Sequence, residues 1–263
     1  MSLVFAAITP HPPLLIPTIG KDALKKLEKT KQAVQKLEEE LYLSKPELII
    51  IISPHGKLLA DAFTLNVCSD FTTDLSEFGD LSTHLKFKGE MNLASKISEG
   101  AKKENFPLVL VSNPALDHGL SVPLFYLAPH LENVNILPIG FCDADYKTHA
   151  EFGFFIKDQI MKSNKRTAVI ASGDLSHSLT TDAPAGFNPA GKIFDEKIQS
   201  LLSTHNAAGF LQIDPEIVTG SSSCGFKSFL ILMGILRGIN FEYKSYCYEA
   251  PFGIGHLTAQ FSF

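Results

Sequence analysis

Four histidines carry the best chance of chemistry in this chain: His11, His55, His118 and His177. Each follows an apolar run and sits among Pro, Gly, Ser or Asp, as in ITPHPP, SPHG, DHGLSVPL and SGDLSH. Neutral imidazole is the commonest protein metal ligand and a proton acceptor near neutral pH. Several imidazoles converging on one place would therefore make a metal site or an acid/base cluster. Two metal chemistries fit. Two histidines and one anionic side chain would hold non-haem Fe(II) with positions open for substrate and O2. Zinc with an activated water would instead make a hydrolase. The ligands come from separate loops, and no H-E-x-x-H helix, G-x-S-x-G elbow or P-loop is present. The other five histidines, His84, His130, His149, His205 and His256, fall on expected strands, helices or surface turns and read as structural or exposed.

The elements around these loops read as alternating strands and helices. ELIIIISPHG places an unbroken isoleucine run, Leu48–Ile52, before Pro54. Such a run suits a strand buried on both faces of a parallel sheet, and proline ends the ladder. His55 then lies past the strand's carboxyl end, the edge where open α/β sheets bind ligands. LVFAAI, before His11, and TAVIA, before His177, repeat the arrangement. Lys21–Leu43 is an amphipathic helix with apolar residues three to four apart, so it closes a βαβ unit with a right-handed crossover. Further helices are expected at Glu90–Glu104, Tyr146–Met161, the second part of Phe187–Leu202, and Phe226–Leu236. Leu108–Val111 reads as another buried strand. Asp70–Asp80 reads as irregular, Asn113–Leu120 as a polar loop, and Val122–Leu127 as a helix start with Pro123 in its first turn. Phe63–Val67, His84–Lys88 and Val134–Ile139 complete the strands, with Glu242–Tyr248 and His256–Phe263 as a final pair. The expectation is one α/β domain, 1–263, with a central mixed, mostly parallel sheet flanked by helices.

Bulk properties narrow the functional classes. With 263 residues, 45% apolar and 19% charged, the composition is that of a globular domain. A formal charge of −5 argues against non-specific binding of nucleic acid or anionic membrane. No run is apolar enough to cross a bilayer and no basic leader precedes the first strand, so a cytoplasmic protein is expected. Four cysteines without a C-x-x-C pair read as reduced thiols.

Taken in order, the four histidine motifs resemble the class III extradiol ring-cleavage dioxygenases, the LigB-like superfamily, over nearly the whole chain. The likeness is to the branch that accompanies AmmeMemoRadiSam proteins, with Memo more distant. The resemblance implies a divalent metal, Fe(II) first, on His11 and His55. It implies His177 as the acid/base group and His118 as a second active-site histidine that orients substrate or oxygen. The expected partners are a small aromatic, catechol-type substrate and O2. Family members often pair, which leaves a homodimer or a partner domain open.

The third ligand departs from the dioxygenase pattern. Where the ring-cleaving enzymes carry glutamate ahead of an apolar helix, this chain reads SSSCGFKSFLILMGIL, and no carboxylate occurs from Ile217 to Arg237. Cys224 is Memo-like here, and a thiolate favours copper or zinc over iron. Glu249 is the alternative carboxylate. At a helix N-terminus the Cys224 thiol is expected to be acidified. Three readings follow: a ring-opening dioxygenase, a Memo-like copper or redox protein, and a non-catalytic binding module that keeps the pocket.

Overall fold

The computed structural model describes residues 2–263. In chain order the strands are β1 (Leu3–Thr9), β2 (Leu48–Ser53), β3 (Phe63–Asn66), β4 (Asp70–Thr73), β5 (Lys86–Gly89), β6 (Leu108–Val111), β7 (Ala115–Leu116), β8 (Asn135–Gly140), β9 (Thr167–Ser172), β10 (Glu242–Glu249) and β11 (His256–Ser262). The helices are α1 (Pro17–Gly20), α2 (Glu28–Ser44), α3 (Met91–Glu104), α4 (His118–Leu127), α5 (Tyr146–Lys162), α6 (Pro189–Ser203), α7 (Ala207–Phe210), α8 (Pro215–Ser221) and α9 (Phe226–Leu236).

The sheet runs β10-β11-β1-β9-β2-β8-β5-β4-β7, with β3 paired to β8 and β6. Its centre, β1, β9, β2 and β8, is parallel, while β10, β11 and β1 are successively antiparallel. The isoleucine run explains this position. Leu48, Ile50 and Ile52 pack into the core that α5, α6 and α9 cover, and Ile49 and Ile51 into the core under α2 and α4. A strand with both faces apolar can sit only between two helical layers. The mixed, mostly parallel sheet expected from the sequence is therefore the observed architecture.

Register matters more than layer count for the site. Thr9 pairs with Ser172, Ile52 with Ala171, and Ser53 with Gly140, so β1, β9, β2 and β8 stop at one level. The loops that follow β1, β2 and β9 emerge together. Because β11 is antiparallel to β1, its first residue, His256, arrives at the same edge.

Four local expectations need correction. Leu108–Val111 is a strand but not a buried one; β6 pairs only with β3, and Val109 and Leu110 are exposed. Helix α4 begins at His118, because Asp117 caps it by accepting the Gly119 N–H at 2.8 Å. That start turns the end of the expected polar loop into helix and puts Pro123 inside it, beyond the first turn. Asp70–Asp80 is not wholly irregular, since it holds β4 and a short 3₁₀ turn, Ser76–Phe78.

Candidate metal and acid/base centre

His11 leaves β1 and lies buried at the floor of the edge. Its Nε2 is 3.2 Å from His55 Nε2, 3.5 Å from Cys224 Sγ and 3.8 Å from Asp174 Oδ2. The His118 ring sits 4.1 Å from the His55 ring and 5.4 Å from the His11 ring, centroid to centroid. His177 turns Nε2 to 3.9 Å from Asp174 Oδ2. The four loop histidines and Cys224 thus meet at one rim, where the strand register brings His11, His55 and His177.

Two groups of ligand atoms can be drawn, each compact enough for one ion. One is His11, His55 and His118; the other is His11, Asp174 and Cys224. His11 alone belongs to both. A metal at ordinary Zn–N and Zn–S bond lengths, in tetrahedral geometry, spaces two nitrogens roughly 3.3 Å apart and a nitrogen and sulfur roughly 3.5 Å apart. The observed His11–His55 and His11–Cys224 separations match those spacings. Two imidazole lone pairs facing each other at 3.2 Å repel, so the pair needs either a shared proton or a cation. The donor set fits a divalent metal.

The Cys224 turn reaches His11 because two glycines touch. A Cβ on Gly173 would fall 2.2 Å from the Gly225 Cα, so neither strand β9's exit nor the α9 entry tolerates a side chain there. Across this contact the Asp174 backbone N–H donates to Cys224 Sγ at 3.2 Å, and the Gly225 N–H donates to the Asp174 carbonyl at 3.0 Å. The loop carrying His177 is held from behind. Asp195 accepts the Ser176 N–H at 2.8 Å and the Tyr248 hydroxyl at 2.7 Å.

Burial sets the charge states. It pushes the Asp174 carboxyl up to about 7 and the Asp195 carboxyl up to about 6. It brings His55 down to about 4 and His256 to about 3, and lowers His11 and His177. Neighbouring imidazoles add to the effect at His11, His55 and His256. These rings are neutral near pH 7, the form that binds metal or accepts a proton. Cys224 runs against expectation: burial, with Asp174 beside it, pushes the thiol well up rather than down. It lies half-buried before the first residue of α9, and desolvation outweighs the helix dipole.

Glu249 does not enter the site. Its Oε1 accepts the Thr30 N–H at 2.9 Å and the Thr30 hydroxyl at 2.6 Å, closing the first turn of α2. Sequence reasoning missed two residues instead. Asp174 lies in the quoted SGDLSH, where an acid three positions before a loop histidine was the available signal. His256, read as structural, is buried with both ring nitrogens unpartnered, and its Nε2 is 4.0 Å from Asp174 Oδ1. Its signal was weaker: the head of a strand whose direction the sequence does not state. Glu77 and Phe78, from the acidic stretch, also border the site; His118 Nδ1 is 3.3 Å from Glu77 Oε1, and the Phe78 ring meets the imidazole edge-on.

Comparison with known proteins identifies the family. The model of the family described as "Catalytic LigB subunit of aromatic ring-opening dioxygenase" matches residues 5–261. The chain belongs to the LigB family. Within it, Protein CA_C1420 of Clostridium acetobutylicum is 31% identical over 97% of this chain and 57% of its own length. The MEMO1 family protein MmarC5_0191 of Methanococcus maripaludis is 24% identical, over 63% of this chain and 57% of that protein. This LigB-family chain thus spans little more than half of these two relatives. A third relative, the 2-aminophenol 1,6-dioxygenase alpha subunit of a Pseudomonas species, is 27% identical over the whole of both chains. The crystal structure of the uncharacterized Escherichia coli K12 protein JW3007 shares the fold, with a TM-score of 0.68 at 18% identity, over 98% of this chain and 99% of that one. No helix among the described residues is long and apolar enough to cross a membrane.

Proposed function

We propose that this chain is a metal-dependent oxidoreductase of the extradiol type, which opens a catechol-like aromatic ring with O2. The observation that carries the reading is His11 Nε2, set 3.2 Å from His55 Nε2 and 3.5 Å from Cys224 Sγ. His11 and His55 hold the ion, Fe(II) in this reading, and Cys224 completes its anchoring. Cys224 and His55 fall in different groups around His11, so one of the two side chains turns towards the other when both bind. When bound, the metal supplies a Lewis-acidic, redox-active centre at which a diol and O2 meet.

The remaining residues handle protons and position. His177 has an unpartnered Nε2, and burial keeps the ring in its neutral form, so the lone pair is free to accept a proton from a substrate hydroxyl. Asp174, 3.9 Å away, stabilises the imidazolium that results. His118 lines the solvent side, with Phe78 against its ring, and orients the aromatic substrate.

Cys224 also favours a second reading. A half-buried thiol beside a histidine suits copper, and a Memo-like redox protein would reduce oxygen without cleaving a ring. Metal analysis of the purified full chain, followed by assay with catechols and O2, separates the two. Iron with ring-opened product supports the first; copper with oxygen consumption and intact catechol supports the second. Protein that takes up neither metal contradicts both.

A further inference from the structure

Helix α4 carries Pro123 four residues after Gly119, and proline has no N–H. The Gly119 carbonyl therefore lacks its ordinary helical donor. Ser172, the last residue of β9, supplies one: its Oγ donates to the Gly119 oxygen at 2.5 Å. The same Oγ lies 2.8 Å from His11 Nδ1. A serine hydroxyl has a single proton, and that proton is already committed. Towards His11 the oxygen can only accept, so Nδ1 must carry the hydrogen. Ser172 and His11 are both buried, which removes water as a competing partner.

We propose that Ser172 is a positioning residue that locks His11 in its Nδ1–H tautomer, and that Pro123 enforces this by leaving Gly119 in need of the serine proton. The lone pair of His11 is thereby kept on Nε2, the atom that faces His55 and Cys224. A ring nitrogen's hydrogen-bond partner decides which nitrogen can bind a metal, and the loss of such a partner costs about 10–100-fold in metal affinity. The consequence for metal binding rests on the function proposed above. The tautomer itself is a property of the metal-free protein.

The test is a long-range 1H–15N correlation spectrum of the metal-free full chain labelled at histidine nitrogen, with His11 assigned by its disappearance in His11→Gln. The expected pattern is a protonated Nδ1 and a bare Nε2 in the wild type. Pro123→Ala gives Gly119 an amide donor and releases the Ser172 proton, so His11 should shift towards the Nε2–H form. In Ser172→Ala the single tautomer should become a mixture. Titration with Zn²⁺ should show the dissociation constant rising about 10–100-fold in both variants. A wild-type His11 protonated on Nε2, or a tautomer untouched by either substitution, would overturn the proposal. Wild-type protein that binds no Zn²⁺, Fe(II) or copper yet keeps the Nδ1 proton would support the tautomer lock and sink the metal reading alone.

Discussion

Asp174 holds His11 by its backbone and faces its ring: Oδ1 accepts the His11 N–H at 3.2 Å while Oδ2 stands 3.8 Å from Nε2. One carboxylate thus fixes the loop and faces the atom at the centre of both ligand groups. Asp174→Asn preserves the backbone contact and removes the negative charge. The expected result is a folded protein whose metal affinity falls about 10–100-fold. Titration of the metal-free variant against wild type measures it, and equal affinities would remove Asp174 from the site's function.

His177 is proposed to move a proton and not to hold the ion. In His177→Ala, metal content should match wild type while ring-opening turnover drops by about 10²–10⁴-fold. Elemental analysis beside the assay distinguishes the two roles. Loss of the metal would make His177 a ligand.

Stability of the metal-free chain should depend on pH in a stated direction. Burial lowers His11, His55, His149, His177 and His256, with His55 at about 4 and His256 at about 3. As pH falls below about 6.5 the unfolded chain binds protons that these folded rings refuse, so their contribution is present above that pH and is lost towards 4. Asp117, Asp174 and Asp195 are raised and act oppositely, favouring the folded state at low pH and losing that contribution as pH rises. The imidazoles outnumber them. Urea unfolding should therefore give a lower stability at pH 4.5 than at pH 7. An unchanged or higher stability at pH 4.5 would contradict the sign.

Glu249 offers a control with the opposite profile. It accepts two hydrogen bonds from Thr30 at the start of α2 and touches no ligand. Glu249→Ala should cost about 1–2 kcal/mol, as the loss of a helix-terminal acceptor does, with metal content unchanged. Denaturant melts and metal analysis on one preparation check both halves. A metal-free Glu249→Ala would return the carboxylate to the site.

Much of this arrangement was legible because strand burial and loop placement are local signals. The Leu48–Ile52 run specifies a strand apolar on both faces, and in a parallel sheet its neighbours' exits must share an edge. His11, His55 and His177 follow from that alone. His256 does not, because its place depends on β11 running antiparallel to β1, a long-range choice the local pattern leaves free. Glu249 misleads for a related reason. It stands at the carboxyl end of β10, opposite His256, yet its side chain is drawn to α2. Cys224 does lie beside His11, but its acidity was misjudged, since the sequence shows a helix start and not the desolvation around it. In α4, the Asp117 cap outweighed the reading that put Pro123 in the first turn.

The most direct measurement is the metal-edge X-ray absorption spectrum of the metal-loaded full chain, wild type beside Cys224→Ser. The account predicts nitrogen scatterers from imidazole and one sulfur at about 2.3 Å in the wild type, with the sulfur absent in the variant. A wild-type spectrum with imidazole ligands and no sulfur would place the ion with His11, His55 and His118, and would contradict the role assigned to Cys224.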